Sequence, residues 1–565
     1  MKPVRPTQIL PAQLPLKTRG ALAIASASIA ALCLLVSGCE GPSSLIGSML
    51  RSPMAMLGLI EPALGSDDSS EPQANDAAEK LVEGWNKPAI SLFVTGRLHG
   101  YIEPCGCTGL TNQKGGLLRR HTCLKKLREK GYDPALIDTG NMIRRFGQQA
   151  SLKMKTAYRS IAGIMNYDAI GMGIDDMKAG GVDMLLAIEE VEREQTPFTS
   201  ANLSLFGGDP SIVPYQIIKK NGKTIGVASV IGAEHVQKAQ AKNAQANGAD
   251  EDFELEMPEV AIQKILQQAQ FRACEFKVLM IQSEPENCRA LAQRFPFFDL
   301  VVTAGGAGDP TLRPQAIKAA NGHVSQMIQC GVKGMYVGVV GVDFDSAGNK
   351  EIRYQRVALD ASFEDSEPVK QVFLEYQGEL KALWQAGALE DIKPRAHPSG
   401  HRFVGSDKCR DCHDEEYDIW KDGLEGDGGP HARATADLTD PGERTWVKRN
   451  FDPECVSCHV TGWNPQNYYP YETGYLDLEK HVLLHGNGCE NCHGPGSGHI
   501  AAEDGVDDQL KQKLRKQVRV TIAEAKARTC YECHDLDNSP DYAEAEDGWE
   551  KYWPTIAHGD GEDDE

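Results

Sequence analysis

Short apolar runs alternate with longer stretches of mixed apolar and charged positions between residues 88 and 362. The apolar runs read AISLFVTG, PALIDTG, DAIGMG, TIGVASVIG, FKVLMIQS and FDLVVTAGG. Strands of this length, separated by stretches with helical spacing, are typical of α/β layers in which the sheet is buried. The pattern therefore predicts an α/β layered domain over 88–362.

The pattern changes after residue 362. Apolar residues recur at helical spacing from Ser366 to Trp384, which predicts a helix that packs on one domain. Pro394 and Pro398 mark the linker that completes the segment 363–402. From 403 to 559 long hydrophobic periods give way to Gly, Asp and Pro, which predicts a mainly α, loop-rich domain. Residues 560–565 form an acidic tail.

The N-terminus has the features of an export signal. An apolar run from 20 to 36 follows the basic residues Lys2, Arg5, Lys17 and Arg19. The run ends in LVSGC, which resembles the lipobox of bacterial lipoproteins and implies that Cys39 becomes a lipidated first residue. An uncleaved signal anchor is the alternative. We expect a leader over 1–38, a flexible tether over 39–87 and an extracytoplasmic protein held to a bacterial membrane.

Length and charge restrict the function classes. A chain of 565 residues is too long for one ordinary core and predicts at least two domains. The formal net charge of −21 argues against a nucleic-acid partner, which requires a basic surface. It would suit docking to a basic redox protein, although a role in solubility explains it equally well.

Four CxxCH motifs carry the candidate chemistry. The composition predicts roughly 0.01 such motifs by chance. Two thiols on one helical turn can each bind a vinyl group of one haem, and the adjacent histidine then becomes the proximal iron ligand. Zinc ribbons and disulfides do not require a histidine after every second cysteine. The motifs are Cys409-Cys412-His413, Cys455-Cys458-His459, Cys489-Cys492-His493 and Cys530-Cys533-His534.

The sequence around these motifs resembles the tetrahaem cytochrome c-554 family. The matching stretches are FVGSDKCRDCHDEEYDIW, PHARA, DPECVSCHVTGW, GCENCHGPGSGHI and YWPTIAH. The resemblance implies four haem c groups, most of them with two histidine ligands and one with a possible open coordination position. It implies that His431, His499 and His558 are distal iron ligands. His397, His401, His481 and His485 are spare candidates.

The α/β region resembles the calcineurin-like metallophosphoesterases, in particular the N-terminal domain of bacterial 5′-nucleotidases. The matching pieces are FVTGRLHGYIEP, GGLLRRHTCLKKLRE, LIDTGN, MNYDAIGMGIDD and PFTSANL. The metal ligands of that family are largely replaced, because only His99 of the first motif remains. The other ligand positions hold Arg97, Asn141, Ile174, Asp175 and the histidine-free segment AGGAGDP. We expect a degenerate, non-catalytic domain; a rebuilt site of different chemistry is the alternative.

The segment EPCGCTG is the candidate for such a rebuilt site. Cys105 and Cys107 could join His99 or His121 around an additional metal or cluster. Disulfide bonding is the favoured alternative, because the domain has six cysteines in an oxidising compartment. The other four are Cys123, Cys274, Cys288 and Cys330.

The predicted function is extracytoplasmic electron transfer between redox partner proteins through four haems, with the α/β domain used for docking or binding. Two alternatives stay open. One is a periplasmic phosphoesterase or 5′-nucleotidase-like hydrolase with an accessory cytochrome. The other is a haem reductase of a small nitrogen or sulfur oxide, which needs one open iron.

Overall fold

The computed structural model describes residues 76–104, 113–145, 147–245, 252–306, 310–389, 392–424, 426, 428–440, 447–535, 539–543 and 547–558. The predicted leader with Cys39, most of the tether, the acidic tail, Cys105 and Cys107 lie outside these ranges. Within them, no helix has the length and apolar character needed to cross a bilayer.

Among the described residues, fourteen strands belong to the α/β region, and they include each apolar run that the sequence pattern predicts as a strand. Their bounds are β1 Ile90–Thr95, β2 Ala135–Asp138, β3 Ala169–Gly171, β4 Phe198–Thr199, β5 Leu203–Leu205, β6 Tyr215–Lys220, β7 Lys223–Ile231, β8 Phe253–Leu255, β9 Phe276–Gln282, β10 Leu300–Thr303, β11 Gln315–Lys318, β12 Val324–Gln329, β13 Tyr336–Phe344 and β14 Lys350–Ala358.

Eight α-helices accompany these strands, and a π-helical turn, Arg159–Ile164, and a 3₁₀ turn, Asp176–Ala179, follow the second helix. The helices are α1 Leu117–Glu129, α2 Gln148–Tyr158, α3 Gly181–Glu189, α4 Ala233–Gln245, α5 Pro258–Gln267, α6 Ala269–Arg272, α7 Pro285–Arg294 and α8 Glu367–Gln385. Helix α8 is the helix predicted over 366–384, and its bounds differ by one residue at each end.

Two six-stranded mixed sheets form the middle of the α/β region. The first has the order β14-β13-β1-β2-β3-β4, and the second has the order β11-β12-β10-β9-β7-β6. In the first sheet β1 to β4 run parallel, and β13 pairs antiparallel with both β1 and β14. In the second sheet β7, β9, β10 and β12 run parallel, whereas β6 pairs antiparallel with β7 and β11 with β12. A short β5–β8 pair lies apart from both sheets. The α/β layered prediction is confirmed.

Strand alternation explains how the layers are filled. In β1, Leu92 and Val94 join β7 and β9 residues such as Val227 and Val278 in one apolar cluster, so this cluster lies between the sheets. Phe93 instead belongs to the cluster that contains α1, α2 and α8. Because successive side chains point to opposite faces, each central strand contributes to two layers of core.

The C-terminal region is built from short helices and turns around a small core. Its helices are α9 Asp414–Asp422, α10 Ala434–Thr439, α11 Pro453–His459, α12 Cys489–His493, α13 Ser497–Glu503, α14 Asp508–Val518, α15 Ile522–Glu524, α16 Pro540–Ala543 and α17 Gly548–Tyr552. One strand pair, β15 Trp463–Asn464 and β16 Tyr469–Pro470, accompanies 3₁₀ turns at Ser406–Lys408, Val482–Leu484, Cys530–Glu532 and Trp553–Thr555 and a π-helical turn at Ala525–Thr529. The prediction of a mainly α, loop-rich region is confirmed.

The favoured disulfide prediction is wrong for the cysteines of the α/β region that the structure describes. Cys123, Cys274, Cys288 and Cys330 are free and buried. Cys123, Cys330 and Cys288 belong to three different apolar clusters, so the sheets separate them. They behave as small core residues, and their thiol pKa values are raised by burial.

Candidate haem-binding sites

Each CxxCH motif forms a helix or a hydrogen-bonded turn, which brings its histidine close to its first cysteine. The second and third motifs fall in α11 and α12. In the first and fourth motifs the backbone N–H of His413 donates to the Cys409 carbonyl at 2.9 Å, and that of His534 to the Cys530 carbonyl at 2.8 Å. The i to i+4 geometry therefore groups both thiols and the imidazole of each motif.

Three motif histidines face three predicted distal histidines. The ring centroids of His413 and His499 are 6.4 Å apart. Those of His534 and His431 are 6.1 Å apart, and those of His493 and His558 are 6.0 Å apart. Imidazole nitrogen binds transition metals at about 2 Å, so two rings on opposite sides of one iron have centroids roughly 6 Å apart. All three separations fit an iron between the rings.

Hydrogen bonds orient several of these rings. Nδ1 of His459 donates to the Ala434 carbonyl at 2.7 Å, and Nδ1 of His493 donates to the Val518 carbonyl at 2.8 Å. His558 uses Nδ1 in the same way toward Ile556 at 2.7 Å. A bond from Nδ1 to a carbonyl sets the tautomer in which Nε2 carries the free lone pair, as metal-binding histidines require.

Burial also favours the neutral imidazole. It lowers the pKa of His431 to about 4, with His534 and His459 as further causes. It likewise lowers the pKa of His493, His499 and His534. Neutral imidazole is the form that binds a metal.

A cavity of about 480 Å³ opens beside the second and fourth motifs. Motif residues Cys455, Cys458, His459, Cys533 and His534 line it. Sites for cofactors have volumes of about 300–1,000 Å³, so the cavity has the size and the chemistry for haem c. The paired thiols, the oriented imidazoles and this space fit the group, which supplies reversible one-electron reduction of its iron when bound.

The motifs lie next to one another in an order that differs from the order in the chain. The backbone N–H of Cys489 donates to the hydroxyl of Ser406 at 3.1 Å, in the turn that leads into the first motif, so the first and third motifs are neighbours. The side-chain amide of Asn487 donates to the Cys458 carbonyl at 3.0 Å and lies 3.8 Å from the sulfur of Cys533, which places the second and fourth motifs side by side. Cys492 of the third motif and Cys530 of the fourth line the same cavity. The order of neighbours therefore runs from the first motif to the third, the fourth and the second.

Two of the spare histidines have other partners. Nε2 of His485 donates to the Leu478 carbonyl at 2.9 Å, and Nδ1 of His397 lies 2.8 Å from the Ser399 hydroxyl. The ring of His481 packs 6.4 Å from that of Tyr475, and that of His401 lies against Gly498. Among the ring contacts of the described residues, none places one of these four histidines opposite a motif histidine.

The sequence resemblance puts the metal site of the family at the carboxyl ends of β1 and β2. In this structure the side chain of Arg97 forms hydrogen bonds there. Nη1 of Arg97 donates to the Gly306 carbonyl at 2.8 Å, where the sequence resemblance puts a histidine-bearing segment. Arg97 and Asn141 have positive φ, of 51° and 58°. The Arg97 N–H donates to the Gly140 carbonyl at 2.8 Å, and Gly140, with φ 90°, has no room for a Cβ against the Gly171 carbonyl.

Below this edge lies a fully buried ion pair. Arg120 and Asp138 approach to 3.2 Å with both side chains at 0% exposure, and the Thr95 hydroxyl donates to Asp138 at 2.6 Å. Burial raises the pKa of Asp138 and Arg120 opposes that shift. Asn141, which replaces an aspartate of the family pattern, binds the side chain of Gln282 at 2.7 Å.

Both candidate histidines of the predicted second site are described, and Nδ1 of His121 lies 2.5 Å from the hydroxyl of Ser366. His99 lines the haem-motif cavity and donates its backbone N–H to the Asn141 carbonyl at 3.0 Å. Cys105 and Cys107 lie outside the described residues. Of the side chains that are described, no three or more His, Cys, Asp or Glu are arranged to hold a metal ion.

Sequence reasoning missed Asp452 and Asp176. Asp452 caps α11, accepting the Glu454 N–H at 3.2 Å, and the Asp-Pro pair before Cys455 is a local signal for such a cap. Asp176 accepts backbone N–H groups of Asn141, Met142, Ile143 and Gly173. It lies beside the Asp175 position that the resemblance singled out, and its contacts come from loops distant in sequence.

The C-terminal region has known relatives. Residues 408–494 match the model of the cytochrome c554 and c-prime family. The chain is also similar to cytochrome c-554 of Nitrosomonas europaea, with 33% identity over 158 residues. That match spans 24% of this chain and 60% of the relative. The resemblance of the C-terminal region to cytochrome c-554 is confirmed, and haem c and electron transfer are the properties that it indicates.

Among solved structures, the chain resembles a 5′-nucleotidase precursor from Thermus thermophilus, with a TM-score of 0.43 and 17% identity over 54% of this chain and 61% of that one. It also resembles a calcineurin-like phosphoesterase from Bacillus subtilis, with a TM-score of 0.38 and 14% identity over 51% of this chain and 97% of that one. Both proteins are of the class that the N-terminal pattern resembles. At these identities the likeness is one of fold.

Proposed function

We propose that this protein transfers electrons outside the cytoplasm through four haem c groups, one at each CxxCH motif. The observation that carries the proposal is the set of three facing histidine pairs, 6.0–6.4 Å between centroids. Each pair joins a motif histidine to a histidine that the cytochrome c-554 resemblance implies as distal ligand. Two imidazoles hold iron in one geometry in both oxidation states, which suits electron transfer.

In this proposal three motifs have a defined second histidine. His413 and His499 would hold the first haem, His493 and His558 the third, and His534 and His431 the fourth. His459 would hold the second. The neighbouring positions of the motifs imply an order of electron transfer from the first through the third and fourth to the second.

The α/β region is, in the same proposal, a non-catalytic part of the protein. A phosphoesterase of the resembled class activates water with two metals held at strand ends. Here the guanidinium of Arg97 binds the Gly305 and Gly306 carbonyls, and Arg120 neutralises Asp138. Two arginine side chains therefore bind the carboxylate and carbonyl groups near those strand ends. This favours the electron carrier over the hydrolase.

The location and partners follow from the same interpretation. The LVSGC segment supports export and lipid attachment through Cys39 to the periplasmic side or the surface of a bacterial membrane. The partners are redox proteins, and the net charge of −21 favours a basic docking surface on at least one of them.

The first test is a count of metals and electrons in the full-length holoprotein, produced in a host that attaches haem c. We expect four irons per chain, uptake of four electrons in a reductive titration, and no stoichiometric zinc or manganese. Cys455→Ser/Cys458→Ser should lower the iron count by one, because thioether attachment holds the haem. Cys274→Ser, which changes a free cysteine outside the motifs, should leave it unchanged.

Two results would contradict the proposal. Fewer than four irons in the unaltered protein would remove a haem from the path. One or two further metals per chain would indicate an active centre in the α/β region and would favour the hydrolase.

A further inference from the structure

The contacts between the two regions converge on the residues directly before the second motif. Lys153 of α2 forms an ion pair with Glu454 at 2.7 Å, and both side chains are largely buried, at 12% and 26% exposure. Glu103, which follows β1, pairs with Arg449. The segment that leads into Cys455 is therefore held by charged groups of the α/β region.

Asp452 is the centre of this contact. Its carboxylate is 5% exposed and accepts hydrogen bonds from Gln149 of α2 and, at 3.2 Å, from Gln377 of α8. The Tyr376 hydroxyl donates to it at 3.4 Å. Asp452 is also the N-cap of α11, the helix that carries Cys455, Cys458 and His459. Three side chains from outside the C-terminal region thus orient the start of a haem-attachment helix.

The same part of the α/β region lines the motif cavity. Residues of the segment after β1, from His99 to Pro104, share the lining with Lys153, Cys455 and His459. Apolar packing continues the contact, because Trp384 of α8 stacks on Trp463 with centroids 5.6 Å apart. The second motif therefore faces the α/β region.

We propose that the α/β region is a wall of the second haem site, and that Lys153 and Glu454 set the reduction potential of that haem through their opposite charges. The inference rests on the proposed attachment of a haem at Cys455 and Cys458. Lys153 and Glu454 act on that haem through their charges, and their ion pair also holds the start of α11. This assigns an internal role to a region whose sequence predicts a module for external docking or binding.

The sign of the effect follows from charge. Reduction adds an electron to the haem, so a nearby cation stabilises the reduced form and a nearby anion destabilises it. Lys153→Met removes a cation and leaves Glu454 unpaired, and both changes lower the potential. Glu454→Gln removes the anion and leaves Lys153, which raises it. A loss of packing alone would move both variants in the same direction.

The experiment is a potentiometric titration of the full-length holoprotein, followed by visible absorption and electron paramagnetic resonance. We expect one of the four haem components to shift down in Lys153→Met and up in Glu454→Gln, while the other three stay in place. Lys153→Arg, which keeps the charge, should restore the native value. The matched control is Lys155→Met on the same helix, whose lysine pairs with Glu190 at 2.7 Å inside the α/β region. It should leave all four components unchanged.

The outcomes separate this inference from the proposed function. If the shifted component is missing from Cys455→Ser/Cys458→Ser, it is the second haem, as expected. Shifts of the same sign in both charge variants, or a shift in Lys153→Met no larger than in Lys155→Met, overturn the inference while the four haems remain. An iron count that does not fall in the double-serine variant overturns the proposed attachment itself.

Discussion

Replacing His499 with alanine is expected to add one carbon-monoxide-binding haem per chain. In the proposed assignment His499 is the second axial ligand of the haem at Cys409 and Cys412, with its ring 6.4 Å from that of His413. Its removal opens one coordination position, which changes that iron from low-spin to high-spin. Carbon monoxide titration of the reduced holoprotein measures the change, and iron analysis verifies that all four haems are still bound.

His485→Ala is the matched control. His485 is a histidine of the same region, but its Nε2 donates to a backbone carbonyl, so its removal should leave the carbon monoxide stoichiometry unchanged. Added imidazole should return the His499→Ala spectrum to the low-spin form. If His499→Ala keeps four haems and binds no more carbon monoxide than the native protein, the assignment of His499 is wrong.

Replacing Arg120 with methionine is expected to cost about 3–5 kcal/mol of the free energy of unfolding of the α/β region. Arg120 and Asp138 are both at 0% exposure and 3.2 Å apart. Without the guanidinium, a buried carboxylate is left without its cation, and that carboxylate cannot reach water. Urea unfolding followed by far-ultraviolet circular dichroism measures the loss in the first transition.

Two comparison variants show whether burial is the cause. Arg159→Met removes an ion pair with Glu375 of similar length, 2.6 Å, but the Glu375 side chain is 55% exposed, so the expected loss is at most about 1 kcal/mol. Arg120→Met/Asp138→Leu should recover part of the stability, because no unpaired charge is left. A loss in Arg120→Met no larger than in Arg159→Met would contradict the prediction.

The buried pair also bears on the hypothesis that the α/β region is non-catalytic. The carboxylate of Asp138, at the end of β2, is neutralised by Arg120 of α1. The contacts of Arg97 with carbonyl oxygens of the β10 end support the sequence-based hypothesis of a degenerate site. The proposed role of this region as a wall of the second haem site does not require a metal.

Several features could be predicted because they are local in the sequence. The CxxCH motifs place two thiols and an imidazole within one helical turn, so the attachment chemistry depends only on neighbouring residues. The predicted strands and helix α8 follow from hydrophobic periodicity, and each is present in the structure. The loss of metal ligands at Arg97 and Asn141 stays a prediction, and it depends on the recognisable strands that those positions adjoin.

Other features could not be predicted because they depend on which distant segments meet. The expected disulfides are absent among the four described cysteines of the α/β region, and three of these cysteines lie in separate apolar cores, which periodicity alone does not reveal. His431 is closer in sequence to the second motif than to the last one, yet its ring faces His534 of the last motif. This pairing likewise follows from packing.

The sequence by itself determined that this protein has an α/β layered region and a C-terminal region with four CxxCH motifs, because these properties belong to single segments. Only the tertiary structure decided which histidines face each other, the order in which the motifs lie next to one another, and the contact of Lys153 with Glu454 across 301 positions of the chain. Such contacts depend on how the layers and helices pack, and packing brings together side chains whose positions in the sequence have no fixed spacing.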